Sequence, residues 1–380
     1  MRMGATLTAS ARTTLDEMGY MGETERAAAY VRANSELRDA LGIDADAPLE
    51  PIPLGRGEHN NNYVLCDFAS GRKFVLRINV LSQPFHQNQV RYEYDALRVL
   101  EQSGRTPKAL YIDDSKKLIE CGVLVISFCE GEMLDFDSLR PGDLNCAAQL
   151  MADIHAVPVP SACTLHRPEE PLHELFDECM GRFEYYLKSG FEEPRITRWM
   201  QRYIDVARPA LDVPCACEDA MHIINTETLA SHFLIPQASA QVAARNASNS
   251  AGRFCDNPGF FVDWERPIIG EPAQDLAFFV APTTTYWDSE FMFPRQNIEA
   301  FLEDYWCAVD GRFAAGAFEE RFWAYLKVSV LRSAMWCCKA LARYGAGGTG
   351  PTTEKTKSKL PIYLSDEFNE RIFEECFSTS

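Results

Sequence analysis

The sequence places a carboxylate at the end of an apolar run, in the segment Phe261-Val262-Asp263-Trp264-Glu265. Asp263 follows the predicted strand directly, so its side chain can be presented at a cleft, where carboxylate oxygens suit Mg²⁺. A little further on, residues 270–277 predict the start of a helix, because Pro272 suits a first helical turn. We therefore take Asp263 as a candidate metal ligand.

A glycine-containing segment precedes it in the chain, between two predicted strands. Gly55 and Gly57 would let the backbone approach phosphate groups and turn free N–H groups toward them. Asn61 and Tyr63 follow in the same segment. A glycine turn that binds no ligand has the same composition, so this segment does not decide between the two interpretations.

A cation and a carboxylate follow at a spacing that allows them to pair. Arg77 closes an apolar strand, and Glu93 lies sixteen residues later on a predicted helix. In kinases a pair of this kind holds the α- and β-phosphates of the nucleotide. A solvated Arg77 with an unrelated surface glutamate is the alternative that the residues alone leave open.

Taken in chain order, these segments resemble the aminoglycoside phosphotransferase and choline kinase-like superfamily. That family ends its active-site hairpin with Asp-Trp-Glu and continues with Gly-Asp-Pro-x-x-Asp-Leu-Ala. The matching segments here are Val262-Asp263-Trp264-Glu265, Gly270-Glu271-Pro272-Ala273-Gln274-Asp275-Leu276-Ala277 with one acidic exchange, Asn61 two residues before Tyr63, Tyr92-Glu93-Tyr94-Asp95-Ala96-Leu97, and Leu150-Met151-Ala152-Asp153-Ile154-His155-Ala156-Val157-Pro158. The ordered series, from residue 54 to about 280, is far more specific than any one member.

The resemblance implies an α+β, bilobal protein-kinase-like fold. A small antiparallel-sheet N-lobe and a larger, mainly helical C-lobe would enclose a nucleotide cleft. It also implies ATP, with Mg²⁺ or Mn²⁺, as cofactors. By position, the residues that would bind the nucleotide are Gly55, Gly57, Asn61, Arg77 in place of the usual lysine, Glu93, and the adenine-facing backbone of Ser127, Phe128 and Cys129. Asp263 would hold the metal, and Trp264 and Glu265 would contact the substrate.

The catalytic loop departs from the family pattern, His-Gly-Asp-x-x-x-x-Asn. In residues 223–235, Asn225 stands for the histidine, Glu227 for the catalytic aspartate and His232 for the metal-binding asparagine. Asp219 is an alternative catalytic acid, but no asparagine lies five residues after it. The Glu227 register keeps the spacing and the apolar strand that follows, and we prefer it. His232 would then be a second metal ligand, though a poorer one for Mg²⁺ than an amide oxygen.

These exchanges leave two functions open. Glu227 is one methylene longer than aspartate, and a displacement of that size can cost about 10²-fold in rate if nothing compensates. In the first, the site is retuned around Glu227, and the protein is a phosphotransferase that acts on a hydroxyl of an aminoglycoside, a choline-like compound, or another amine or sugar alcohol. In the second, the protein is a pseudokinase that binds nucleotide or metabolite without efficient turnover. A structural helical protein would not explain the ordered motif series.

Three regions are predicted from the pattern of elements: an N-terminal helical extension over residues 1–48, the N-lobe with its sheet and helix over 49–130, and a helical C-lobe with the catalytic hairpin over 131–380. Strands are expected within 50–80 and 118–128, and helices at 87–103, 143–156, 171–211 and 365–377. The polar residues 236–258 predict a mobile loop, and 345–353 a flexible stretch.

The composition of the chain limits the classes of molecule that it is expected to bind. A formal net charge of −18 over 380 residues disfavours nucleic acid and anionic membranes, and leaves room for a cationic small molecule. The N-terminus lacks the apolar core of a signal peptide, and the apolar residues 323–342 contain three cations, so they predict a buried helix. Thirteen cysteines without zinc-site spacing, including Cys215, Cys217, Cys337 and Cys338, predict free thiols in a reducing, cytoplasmic setting.

Overall fold

The computed structural model describes residues 20–57, 59–81, 88–214, 218–239, 241, 256–314, 316–345 and 354–377. Two compact units are present. The first contains Met1–Arg98 and Pro107–Phe128, and the second contains Val99–Thr106 and Cys129–Ser380. Among the predicted segments, Cys215 to Cys217, most of the polar loop at 236–258, and residues 346–353 lie outside the described residues.

The first unit contains a five-stranded antiparallel sheet with the strand order β1-β2-β3-β5-β4. Its strands are β1 (Pro51–Arg56), β2 (Asn60–Cys66), β3 (Lys73–Asn79), β4 (Ala109–Asp113) and β5 (Gly122–Ser127). The turn between β2 and β3 uses Gly71 at φ 74°, a backbone region that glycine enters without steric cost. The central strands β3 and β5 are the most apolar and the most buried.

Three helices accompany this sheet, two that precede β1 in the chain and one that lies between β3 and β4. They are α1 (Tyr20–Ala33), α2 (Ser35–Leu41) and α3 (Gln89–Leu100), whose last two residues belong to the second unit. The Asn34 side chain accepts from the Leu37 N–H and so caps α2. Tyr30 of α1 donates to Asp113 of β4 at 3.0 Å. The described part of the predicted N-terminal extension therefore shares the core of the sheet.

The second unit is mainly helical, as expected. Its helices are α4 (Asp143–His155), α5 (Pro171–Leu187), α6 (Pro194–Ala207), α7 (Pro272–Val280), α8 (Pro282–Asp288), α9 (Arg295–Val309), α10 (Phe318–Gly345), α11 (Glu354–Tyr363) and α12 (Asp366–Ile372). Proline occupies the first turn of α5, α6, α7 and α8, where its missing N–H costs no hydrogen bond. No described helix is long and apolar enough to cross a membrane.

Two small antiparallel sheets lie among these helices. One pairs β7 (His222–Ile224) with β10 (Ile268–Gly270). The other has the order β6-β8-β9, from β6 (Glu132–Met133), β8 (Phe233–Ile235) and β9 (Phe260–Phe261). The chain between β7 and β8 is the predicted catalytic loop, and the chain between β9 and β10 carries Asp263. The small sheets thus bring two distant segments of the sequence together.

Candidate active site

The backbone of the predicted catalytic loop is held from the helical core by one carboxylate. Asp275 on α7 is fully buried. Its Oδ2 accepts a hydrogen bond from the N–H of Asn225 at 2.7 Å, and its Oδ1 accepts one from the N–H of Thr226 at 2.7 Å. A carboxylate that accepts two backbone N–H groups forms strong, charge-assisted hydrogen bonds. The start of the loop is therefore fixed by a residue that lies fifty positions later in the sequence.

Asp275 is itself positioned by a second buried chain of polar groups. The Nε2 atom of His155 lies 3.3 Å from Asp275 Oδ2, and its Nδ1 lies 2.9 Å from the hydroxyl of Tyr305. Burial raises the pKa of Tyr305 well above its usual value, so the phenol keeps its proton at neutral pH. Helices α4, α7 and α9 are therefore tied together beneath the loop.

Asn225 connects the loop to the segment that carries Asp263. Its side chain is buried, its Oδ1 accepts from the Glu227 N–H at 3.0 Å, and its Nδ2 donates to the Asp263 carbonyl at 2.8 Å. Thr226 and Asp263 both have left-handed backbone conformations, with φ of 71° and 66°. Such values are uncommon for residues other than glycine and recur where backbone strain serves a site.

Glu227 is ion-paired through a single carboxylate oxygen. Its Oε1 lies 2.9 Å from Nη2 of Arg332 and 3.4 Å from Nη1 of Arg266. Burial would raise the pKa of this carboxyl, but the two guanidinium groups outweigh burial and lower it. Among the described residues none donates to Oε2, and the side chain is 38% exposed. One oxygen is thus fixed, while the other can meet a ligand.

The ion pairs extend from Glu227 to helix α5. Arg266 lies 3.3 Å from Oε1 of Glu178, which also pairs with Arg182 one turn along the same helix. Burial opposes ionisation of Glu178, but the cations Arg182, Arg266 and Arg332 outweigh it and lower its pKa to about 2. Glu178 therefore stays charged at neutral pH and holds the two arginines in place.

His232 and Asp263 lie side by side, as the predicted metal pair requires. Nε2 of His232 is 3.5 Å from Oδ2 of Asp263. No group of three or more metal-ligating side chains occurs among the described residues, but Mg²⁺ on a nucleotide commonly uses only one or two carboxylates. Nδ1 of His232 is buried and has no hydrogen-bond partner in the described structure, whereas metal-bound histidines usually donate from that atom. The pair fits Mg²⁺ mainly through Asp263.

The two residues after Asp263 differ in their surroundings. Trp264 is 1% exposed, donates its indole N–H to the Phe261 carbonyl at 2.9 Å, and packs against the Phe261 ring with the centroids 5.1 Å apart. A side chain buried in this way supports the hairpin from below, so we do not assign Trp264 to substrate binding. Glu265 is half-buried, and its contact with substrate stays a prediction.

In the first unit, Arg77 and Glu93 form the predicted ion pair. Nε of Arg77 is 3.3 Å from Oε1 of Glu93, and both side chains are buried. Arg77 lies on the central strand β3, where it is opposite Leu124 of β5 and Asn62 of β2. The alternative of a solvated arginine with an unrelated glutamate is therefore wrong.

The glycine segment spans the end of β1, which contains Gly55, and the start of the turn to β2, which contains Gly57. Gly55 and Gly57 are both exposed, and the Gly57 N–H donates to the Asn60 carbonyl at 2.9 Å, which closes the turn. Asn61 is buried and donates to Glu23 of α1 at 3.0 Å. Glu58 and the side chain of Arg56 lie outside the described residues. The predicted phosphate contacts of this turn stay a prediction.

The segment predicted to face adenine joins the two units. The Ser127 N–H donates to the Lys108 carbonyl at 2.9 Å, and the Phe128 N–H donates to the Lys73 carbonyl at 3.4 Å. The ring of Phe128 also lies 5.0 Å from Nζ of Lys73. Cys129 is buried and is the first residue of its part of the second unit. Adenine binding here stays a prediction.

Sequence reasoning missed the two arginines that bind Glu227. Arg332 is 4% exposed in the middle of α10, and its Nη1 also donates to the Thr226 carbonyl at 2.7 Å. A charge within an apolar helix needs a partner, so the position of Arg332 was a usable signal. Arg266 gave a weaker signal, since it lies only three residues after Asp263 in a polar turn.

Comparisons with known proteins agree with the fold of this chain. The family model described as "Phosphotransferase enzyme family" matches residues 50–217. A putative aminoglycoside phosphotransferase from Ralstonia eutropha is 14% identical with a TM-score of 0.59, covering 91% of this chain and 97% of its own. Choline kinase from Cryptosporidium parvum is 13% identical with a TM-score of 0.56, covering 86% and 90%. The AMP-bound complex of a spectinomycin phosphotransferase is 12% identical with a TM-score of 0.55, covering 91% and 98%.

A comparison with curated protein sequences found no match. The structural likenesses, at these low identities, show the fold. Together with the family model they confirm the resemblance to the aminoglycoside phosphotransferase and choline kinase-like superfamily that the sequence indicated. The expected α+β class, with a small antiparallel sheet and a mostly helical second part, is confirmed as well.

Proposed function

We propose that this chain, which has a kinase-like fold, is an ATP-dependent phosphotransferase acting on a hydroxyl of a small molecule. The observation that carries the proposal is the arrangement of Glu227 and Asp263 around Asn225. Asn225 binds the backbone of both residues, so two carboxylates of the preferred register are held in one site. The match to the phosphotransferase family model supports this proposal, and so does the likeness in fold to a putative aminoglycoside phosphotransferase and to a choline kinase.

In the proposed reaction, the acceptor oxygen attacks the γ-phosphorus and the bond from that phosphorus to the bridging β-phosphate oxygen breaks, so ADP leaves. Oε2 of Glu227 orients the acceptor hydroxyl and takes its proton. The arginines on Oε1 lower the pKa of this carboxyl, so it is ionised at neutral pH but is a weak base. Orientation of the hydroxyl is therefore its main contribution, and the proton is transferred late.

The residues suited to hold the metal are Asp263 and, beside it, His232. Mg²⁺ bound there would neutralise charge on the β- and γ-phosphates. The left-handed backbone of Asp263 and the hydrogen bond from Asn225 to its carbonyl fix the direction of its side chain. Each therefore contributes to presenting a preorganised carboxylate.

In the first unit, the Arg77–Glu93 pair is the proposed binding element for the α- and β-phosphates. Buried arginines that are held by one carboxylate keep further N–H donors for phosphate oxygens, since a guanidinium has five. A solved relative of the same fold contains AMP, which supports an adenine nucleotide as the donor.

A pseudokinase is the second candidate, and two observations favour it. Glu227 is paired with two arginines, and no described residue forms with Nδ1 of His232 the hydrogen bond that usually accompanies metal binding. A site of this kind could bind Mg-ATP and turn it over slowly or not at all.

The deciding experiment is a phosphotransfer screen with ATP, a panel of small hydroxyl compounds, and either Mg²⁺ or Mn²⁺. Nucleotide binding is measured separately as the rise in Tm with Mg-ATP. We expect Asp263→Asn to abolish the metal-dependent part of that rise and any transfer, while Asp256→Asn, an exposed aspartate of the same unit, leaves both unchanged. Stabilisation by Mg-ATP with no transfer to any acceptor would favour the pseudokinase. No stabilisation at millimolar Mg-ATP would contradict both candidates.

A further inference from the structure

A cluster of cations lies beside Glu227, in a protein whose formal net charge is −18. The charges of Arg182 on α5, Arg266 in the turn after Asp263 and Arg332 on α10 act on Glu227, and the cluster continues along α10 with Lys339 and Arg343. Two carboxylates form ion pairs with the arginines of this cluster, Glu178 and Glu227. The cations outnumber the carboxylates locally, although acids outnumber bases over the whole chain.

The cluster is built into the packing of α5 against α10. Nη1 of Arg182 donates to the Arg332 carbonyl at 3.3 Å, and its Nη2 binds Glu178. Lys339 lies seven residues after Arg332, two helical turns further along nearly the same face of α10. Arg332, Arg266 and Arg182 each meet a carboxylate. Lys339 forms no hydrogen bond or ion pair with any described residue.

Lys339 is half-buried, and its surroundings disfavour its charge. Burial lowers the pKa of its ammonium group, and the charges of Arg182, Arg343 and Arg266 lower it further, opposed by Glu178. A partly desolvated ammonium without a counter-ion is costly. A ligand that brought a negative group to this position would remove that cost.

We propose that the acceptor carries an anionic group, a carboxylate or a phosphate, which binds Lys339 while its hydroxyl meets Glu227. The proposal rests on the proposed function and names the substrate class of the same site. Seven residues of helix separate Lys339 from Arg332, so the anion and the reacting hydroxyl would lie about 10 Å apart. This is the opposite of the cationic acceptor that the sequence led us to expect.

A cationic acceptor fits this surface poorly. Its charge would face Lys339 at short range, and like charges placed together across an interface are costly. An anionic acceptor would instead gain charge-assisted hydrogen bonds from donors that the fold already holds in place.

The test is a binding series that needs no turnover. Isothermal titration measures Kd for ω-hydroxyalkanoates of four to ten carbons, for ω-hydroxyalkyl phosphates, and for diols and amino alcohols of the same lengths, with Mg²⁺ and a non-hydrolysable ATP analogue present. We expect an anionic series to bind at least tenfold more tightly than the diols, with the amino alcohols weakest and an optimum near 10 Å. The ranking of carboxylates against phosphates identifies which anion the site takes.

Variants of Lys339 separate recognition from folding. Lys339→Gln should remove most of the preference for the anion, and Lys339→Glu should reverse it toward amino alcohols. The matched control is Lys327→Gln, a half-buried lysine on the same helix about 18 Å away, which should leave Kd unchanged. A wild-type preference for amino alcohols or diols, or an unchanged preference in Lys339→Glu, would overturn the proposal. Mg-ATP stabilisation is recorded in the same samples, so a wild-type protein that binds nucleotide but shows no preference for the anion contradicts this inference alone.

Discussion

The side-chain amide of Asn225 donates a hydrogen bond to the backbone carbonyl of Asp263 at 2.8 Å, across the two strands that frame the site. The same side chain accepts the Glu227 N–H. One buried residue therefore sets both the position of the proposed catalytic carboxylate and the backbone that presents the proposed metal ligand.

Asn225→Ala should lower kcat by roughly 10²-fold, because small displacements of reacting groups have effects of that size. It should also lower the free energy of unfolding by about 1–3 kcal/mol, since buried N–H and C=O groups lose their partners. Asn225→Asp keeps the acceptor for Glu227 but places a buried carboxylate oxygen against the Asp263 carbonyl, so both its metal affinity and its stability should fall. Asn297→Ala, at an exposed position, is the control. Wild-type kcat in Asn225→Ala would show that the bridge has no catalytic role.

Glu227 separates an enzyme from a pseudokinase. Glu227→Gln keeps the shape but cannot take a proton, so turnover should fall by roughly 10²-fold or more while Mg-ATP still binds. Glu227→Asp draws the carboxylate back from the acceptor and should also lose activity if the site is retuned for glutamate. A rise in activity of Glu227→Asp would instead indicate a decayed site. Rates are measured with the best acceptor of the screen, and unchanged rates in both variants would remove Glu227 from the mechanism.

His232 should influence the choice of metal. Imidazole suits softer ions than Mg²⁺, so a ligating His232 shifts preference toward Mn²⁺, and His232→Asn should restore a preference for Mg²⁺. The measurement is the Tm shift by ATP with each metal, which does not depend on turnover. His166→Asn, at an exposed histidine, is the control. If His232→Asn and wild type have the same Mg²⁺ to Mn²⁺ ratio, His232 is a neighbour of the metal ligand and not a ligand.

Glu178 should make stability depend on pH in the acid range. Its pKa is about 2 in the folded protein, below the value of about 4.3 for a free glutamate. The stabilisation is therefore fully present above about pH 4.3 and is lost as the pH falls from there toward 2. Glu178→Gln should lose less stability than wild type between pH 5 and 3 in urea unfolding. Glu320→Gln, at an exposed position, should behave as wild type. Parallel plots of the free energy of unfolding against pH for Glu178→Gln and wild type would contradict the lowered pKa of Glu178.

The sequence identified the elements whose patterns are local. The strands around Arg77, the helix that carries Glu93 and the strand after Glu227 follow from apolar periodicity and turn residues, and all are present. Strand β4 was missed, because its five residues have only a short, interrupted apolar run. Helix α3 ends three residues before the predicted boundary at residue 103, because residues 101–103 continue the chain as a 3-10 turn.

Within the site, the sequence indicated which residue types were present but not what they contact. The Arg77–Glu93 pair could be anticipated because strand and helix are neighbours in the chain. The pairing of Glu227 with Arg332 could not, since 105 positions separate them and only the packing of α10 brings them together. Trp264 illustrates the reverse case, since its position beside the candidate metal ligand Asp263 predicts a substrate contact while its side chain is part of the core.

The hydrogen bonds of Asp275 have a consequence for how this site can change. Because the loop backbone is anchored at Asn225 and Thr226 by a carboxylate on α7, its shape depends little on which side chains the loop displays. The side chains at positions 227 and 232 can then be substituted without a change in the backbone of the loop. The loop is thus a natural place to graft the unmodified His-Gly-Asp-x-x-x-x-Asn pattern, and Asp275 is the residue that any such redesign has to leave in place.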